Sequence, residues 1–208
     1  MEIVNATAHE YAQFELLIEA LLANKYAFCD DFFDKETIEG LRNNLLILNA
    51  AEGLKTAGIG NQDKLVENKT FRGDKIKWID VESENVFEKT YNSKINKFIT
   101  HLNTTCYTSL NHFESHYACY TPNTFYKRHL DQFKSDNGRK FSMVLFLNED
   151  WKDEDGGKLS LYPEGALQQD ISPISGRMVF FRSDELEHEV QASLLRDRLS
   201  IAAWIKSV

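Results

Sequence analysis

Residues 140–148 read KFSMVLFLN, an apolar run of strand length, and comparable runs lie on both sides of it. FESHYACY (113–120) precedes it, and GKLSLYP (157–163), RMVFFR (177–182) and LSIAAWI (199–205) follow. Turn-rich segments separate the runs: KSDNG (134–138), EDGG (154–157), PEG (163–165) and SPISG (172–176). Short apolar or alternating runs bounded by Gly, Pro, Asn and Asp predict strands. The chain from about 112 to 208 is therefore expected to be an all-β half.

Upstream, the periodicity changes. Tyr11, Phe14, Leu17, Ile18, Leu21 and Leu22 recur at helical spacing between Glu10 and Ala23, and similar patterns run from about Lys35 to Leu54 and from Val86 to Leu102. Between the last two, KTAGIGNQDKLVENKTFRG (55–73) reads as a connection or loose hairpin. Helices followed by many short strands predict an α+β, mainly β fold, a sandwich or barrel buttressed by helices. The expected division is helical support over about 1–111 and a β core over about 112–208, within one domain spanning 1–208.

Composition narrows the function classes. With 42% hydrophobic residues in 208, there is material for one sizeable core. A net charge of −8 without a dense Lys/Arg run argues against nucleic-acid phosphates or an anionic membrane as partners. The start, MEIVNATAHEYAQ, lacks a secretory pattern, so a cytoplasmic location is expected. Cys29, Cys106 and Cys119 form no CxxC pair, which argues against a disulfide framework or a cysteine zinc site.

The chemistry-bearing candidates lie in the β half. YKRHLDQF (126–133) contains an HxD, His129 and Asp131, but six histidines would produce one by chance roughly a third of the time. On a strand the two side chains would share a face, and His188 in SDELEHEVQ could join them at a barrel rim. Two His and one carboxylate on one face suit Fe(II), leaving positions open for substrate and oxygen. The other histidines, His9, His101, His112 and His116, read as surface or ordinary hydrogen-bonding residues. Arg198 would share a strand face with Ser200 and could grip a carboxylate in two-point geometry, although parity alone leaves Arg196 as an alternative.

These residues and their surroundings resemble the 2-oxoglutarate and Fe(II)-dependent dioxygenases, and within them the prolyl 4-hydroxylases of the EGL-nine, oxygen-sensing type. FRGDKIKWI (71–79), HYACY (116–120), YKRHLDQF, GRKFSMVLFLNEDW (138–151), GGKLSLYPEG (156–165), HEVQ (188–191) and RLSIAAW (198–204) carry the resemblance, in colinear order. It implies a double-stranded β-helix, a cupin-like jelly roll, with Fe(II) held by His129, Asp131 and His188. It further implies 2-oxoglutarate paired with Arg198 and lined by Tyr120, with Trp204 near the metal, and O2 as oxidant with ascorbate as an accessory reductant.

By the same resemblance Tyr126, Arg139 and Trp78 would surround the target proline. The segment from about Ala57 to Thr70 would close over a proline-containing loop of a partner protein, a translation factor being one candidate. The reaction implied is hydroxylation at C4 of a prolyl residue with release of succinate and CO2. The chain departs from the pattern at Phe146, where a tyrosine is usual, and at Ala202, where a threonine is usual; Ser200 could supply a hydroxyl instead. The RGD at 72–74 reads as an ion pair or loop anchor in preference to an adhesive motif. Rival readings are hydroxylation of free proline or another small molecule, and a non-catalytic 2-oxoglutarate sensor that keeps the barrel without turnover.

Overall fold

The computed structural model describes residues 2–58, 70–132, 138–164 and 168–207, without the side chains of residues 2–7. Most of the expected closing segment, 59–69, lies outside the described residues, as do 134–137 of KSDNG and Gly165 of PEG. In chain order the elements are α1 (Glu2–Asn24), β1 (Tyr26–Cys29), α2 (Lys35–Ala50), β2 (Lys55–Thr56), β3 (Lys75–Ile79), α3 (Val86–Cys106) and β4 (His112–Tyr120). They continue as β5 (Tyr126–His129), β6 (Arg139–Phe146), β7 (Leu159–Tyr162), β8 (Gln169–Ile171), β9 (Met178–Arg182), β10 (Glu187–Val190) and β11 (Arg198–Lys206).

The three expected helices are present with shifted ends. Asp34 caps α2 by accepting from the Thr37 amide at 2.7 Å, and Asn85 caps α3 by accepting from the Phe87 and Glu88 amides. Each cap satisfies amide donors that the first helical turn cannot. Helix α3 outruns the expected Leu102 by one turn, and α2 stops at Ala50, short of the expected Leu54.

Two antiparallel sheets form the rest. One has seven strands in the order β1-β9-β6-β11-β4-β3-β2, the other four in the order β5-β10-β7-β8. From β4 onward the chain passes repeatedly between the two sheets, which is the winding of a jelly roll. The part expected to be helical support also contributes strands, since β1, β2 and β3 come from it and extend both edges of the larger sheet.

Period-two alternation divides that sheet's faces. Phe113 and Tyr117 on β4, Phe141, Met143 and Leu145 on β6, Met178 and Phe180 on β9, and Leu199, Ile201, Ala203 and Ile205 on β11 join one core with the helices. Phe14, Leu41, Leu45, Ile95 and Phe98 are among the residues the helices supply to it. The intervening residues Ala118, Tyr120, Phe146, Val179 and Phe181 face the smaller sheet and form a second core with Leu159, Leu161 and Val190. At Gly40 on α2 an added Cβ would lie 2.2 Å from the Phe87 ring, so only glycine lets α2 approach α3 this closely. The helices thereby brace the larger sheet from behind and leave its other face to the cavity.

Candidate functional site

Strand pairing brings the two histidines together: His129 on β5 lies directly opposite His188 on β10. Asp131 follows β5 immediately, and its two carboxylate oxygens lie 3.5 Å from His129 Nε2 and 3.5 Å from His188 Nε2. The three ligand atoms all fall within 4.8 Å of one another. His129 Nδ1 is 2.6 Å from the Lys127 carbonyl and His188 Nδ1 is 3.2 Å from the Leu186 carbonyl. A carbonyl only accepts, so each Nδ1 carries the proton and each Nε2 turns a lone pair toward Asp131.

Electrostatics agree with a ligand set. Burial pushes His188 down to about 4, so its imidazole is neutral near pH 7. Burial works to raise the Asp131 pKa, but His188, cationic in the acid range where Asp131 titrates, outweighs it together with His129 and Arg139 and holds the carboxyl well below its usual range. Ser142 Oγ donates to Asp131 at 2.6 Å and is 2.8 Å from Ser183 Oγ, which fixes the carboxylate's orientation from behind.

A pocket runs from this triad between the two sheets to Arg198. Arg198 is 1% exposed. Its Nε donates to the Gly157 carbonyl at 2.8 Å and its Nη1 to Ser200 Oγ at 3.2 Å, while Nη2 is buried without a hydrogen-bond partner among the described residues. The guanidinium carbon lies 5.1 Å from the centre of the Tyr120 ring and 4.9 Å from that of Phe146. Burial lowers Arg198 to about 10, so it stays cationic, yet no carboxylate forms an ion pair with it among the described residues. A buried cation with an orphaned N–H calls for an anion. The position takes a carboxylate, and the His-Asp-His set takes a divalent metal of the Fe(II) type.

Gly157 is part of this arrangement. Its φ of +70° neighbour Gly156 and its own φ of +65° shape the turn before β7, and a Cβ on Gly157 would sit 3.1 Å from Arg198 Cδ.

The remaining sequence candidates divide. Tyr126 lies against the triad, its ring stacked on His129 with centroids 3.7 Å apart, and Trp204 lines the same pocket. Trp78 and Arg139 do not line it. Trp78 is 47% exposed and stacks on His116, and Arg139 lies behind Trp204, 3.7 Å from its ring centre, bonded to Glu114 and to the Asp131 carbonyl. Arg196 packs over Trp151 and bridges Asp155, away from the pocket.

Two pocket residues escaped the sequence reading. His116, expected to be an ordinary histidine, is 1% exposed and lines the pocket between Trp78 and Trp204. Its parity with Tyr120 on β4 was the available signal. Arg72, read only as an ion-pair or anchor residue, also lines the pocket.

The family model described as 2OG-Fe(II) oxygenase superfamily matches residues 115–206. Egl nine homolog 1 of Homo sapiens is 34% identical over 192 residues, covering 87% of this chain and 44% of that protein. The chain thus spans about half the length, or less, of the curated relatives first matched. A prolyl-4-hydroxylase from Pseudomonas putida superposes with a TM-score of 0.84 at 29% identity, covering 94% of this chain and 99% of that one. A Trichoplax adhaerens prolyl hydroxylase, solved with a hypoxia inducible factor oxygen degradation domain peptide, shares the fold with a TM-score of 0.88 at 23% identity, over 97% and 92% of the two chains.

Proposed function

We propose that this chain, which belongs to the 2OG-Fe(II) oxygenase superfamily, hydroxylates C4 of a prolyl residue in a protein substrate and releases succinate and CO2. The observation that carries the reading is the pocket with two unlike ends: a His-Asp-His ligand set at one and, at the other, a buried guanidinium N–H that is unpaired among the described residues. That pair of features suits a small dicarboxylate whose one end meets a metal and whose other end meets Arg198.

In this reading His129, Asp131 and His188 hold Fe(II), and Asp131 neutralises part of its charge. Fe(II) with 2-oxoglutarate and O2, when bound, supplies the oxidising power for hydroxylation. The protein's own residues orient and exclude. Arg198 takes the distal carboxylate of 2-oxoglutarate through Nη2, and Ser200, which accepts from Nη1, holds the guanidinium in plane. Tyr120 and Phe146 flank it with apolar surface, keeping water from the ion pair. Tyr126 and Trp204 form the pocket wall beside the triad, where the prolyl ring enters. Trp78 and Arg139 act at one remove, Trp78 as exposed surface near the entrance and Arg139 by holding Trp204.

The relatives that support a prolyl substrate are the Pseudomonas putida prolyl-4-hydroxylase and the Trichoplax adhaerens enzyme solved with a protein-derived peptide. The substrate is therefore a protein presenting an exposed proline loop, with a translation factor as one candidate, in the cytoplasm. Mass spectrometry of the host proteome with and without the active protein, with ascorbate present, tests this. A proline heavier by one oxygen should appear with the wild type and vanish with Asp131→Ala. Succinate formation stimulated only by free proline would place the enzyme among small-molecule hydroxylases instead.

A further inference from the structure

The FRGD segment, 71–74, crosses between the two sheets. At one end it runs antiparallel along β5, with Arg72 paired to Tyr126, the Lys127 amide donating to the Phe71 carbonyl at 2.9 Å and the Gly73 amide to the Phe125 carbonyl at 3.0 Å. At the other end it continues into β3, which pairs with β4 of the larger sheet. Glycine is needed at 73 because a Cβ there would lie 2.8 Å from Thr124 Cβ. β5 is the edge of the four-stranded sheet and carries His129, so this segment covers the edge that holds a candidate ligand.

The side chains make the contact specific. Arg72 binds Asp74 through two bonds, Nε to Oδ1 at 2.6 Å and Nη2 to Oδ2 at 2.8 Å, with Asp74 fully buried. Arg72 Nη2 also lies 3.3 Å from His116 Nε2. Guanidinium only donates, so that nitrogen accepts, and the proton on Nδ1 is left facing the Ala202 carbonyl at 3.3 Å. Fixed in this way, the guanidinium carbon sits 4.6 Å from the centre of the Tyr126 ring. Tyr126 in turn stacks on His129 at an interplanar angle of 17°. Cation–π contact holds one aromatic partner and ring stacking holds the other.

We infer that Arg72 is a positioning residue for the metal centre: held by Asp74 and His116, it presses Tyr126 against His129 and fixes the orientation of that imidazole. The RGD triplet is thus part of the support of the ligand set, beyond its role as an ion pair. The inference rests on the reading of His129, Asp131 and His188 as metal ligands, and its test needs no turnover.

Mn(II), a redox-inactive stand-in for Fe(II), is titrated into the full chain and into four variants. Loss of an outer partner of a ligating histidine weakens metal binding by about tenfold or more. Arg72→Gln and Tyr126→Leu should each raise the Mn(II) dissociation constant by about tenfold, and Arg72→Lys, which keeps the cation, should recover part of the loss. Because the two residues act in series, the double variant should bind about as weakly as either single one, not at the product of the two losses. Arg72→Gln leaves Asp74 buried without its partner, so if that variant does not fold, Tyr126→Leu alone decides. Wild-type affinity in Tyr126→Leu, or multiplied losses in the double variant, overturns the inference while leaving the metal centre intact. Absence of Mn(II) binding by the wild type overturns the metal centre and the inference with it.

Discussion

Alternate residues of β11 do different work. Leu199, Ile201, Ala203 and Ile205 pack beneath the helices, whereas Arg198, Ser200, Ala202 and Trp204 line the pocket on the opposite face. The first set is apolar and matched to its neighbours. The second includes a buried cation without a carboxylate partner among the described residues, an arrangement that costs folding free energy and is retained where a ligand completes it. The same contrast runs through β9, with Phe180 on the helical side and Phe181 beside His188. One face supplies stability and the other supplies chemistry, and substitutions on the two should separate.

The largest stability effect is expected on the helical side. Phe180 is fully buried against Phe98 and Phe141, so Phe180→Ala should cost about 3–5 kcal/mol in chemical denaturation. The folded fraction should keep its 2-oxoglutarate affinity. A shift in that affinity as large as that of a pocket variant would erase the distinction between the faces.

The pocket side should show itself in pH dependence. Burial, with Arg72 adding to it, pushes the His116 pKa down to about 3. Above about pH 6.5 folded and unfolded chains both hold it neutral, and the group contributes nothing to the pH dependence. As pH falls toward 3 the unfolded chain takes up a proton that the folded one refuses, so stability is lost. Between about pH 7 and pH 5 this loss is about 2 kcal/mol. His116→Phe should shrink the stability difference between those two conditions by about that amount, as measured by urea denaturation. An unchanged difference would mean that His116 is solvated.

Much of this division was legible beforehand. The runs 113–120, 140–148, 177–182 and 199–205 became β4, β6, β9 and β11, because alternation is a local signal that a two-faced sheet enforces. Alternation put His129 and Asp131 on one expected strand face but left the pair weak and Arg196 open beside Arg198, and it was the resemblance that singled out His188 and Arg198. What was not legible depends on partners far away in sequence. β1 is four residues long and owes its strand conformation to β9, some 150 residues later, so no local pattern announces it. His116 needed its strand neighbours Trp78 and Ala202 to become a pocket residue, and Arg72 needed Tyr126. Trp78 and Arg139, set around the target proline by resemblance, each touch a pocket residue, Trp78 the ring of His116 and Arg139 that of Trp204.

A smaller effect sharpens the pocket side itself. Ser200 accepts from Arg198 Nη1, and no tyrosine stands at Phe146 to add a hydroxyl. Ser200→Ala should weaken 2-oxoglutarate binding by about fivefold, the worth of about 1 kcal/mol for one hydrogen bond, with Mn(II) binding unchanged. Equal loss of both ligands would point to general disorder of the strand.

The central claim is that the guanidinium at one end of the pocket and the ligand triad at the other hold the two ends of one dicarboxylate. Titration of 2-oxoglutarate into Mn(II)-loaded wild type and Arg198→Met measures this directly. Arg198→Met should keep its Mn(II) affinity and lose 2-oxoglutarate affinity by about a hundredfold or more, the scale of a buried charge-assisted contact. Undiminished 2-oxoglutarate binding by Arg198→Met would contradict it.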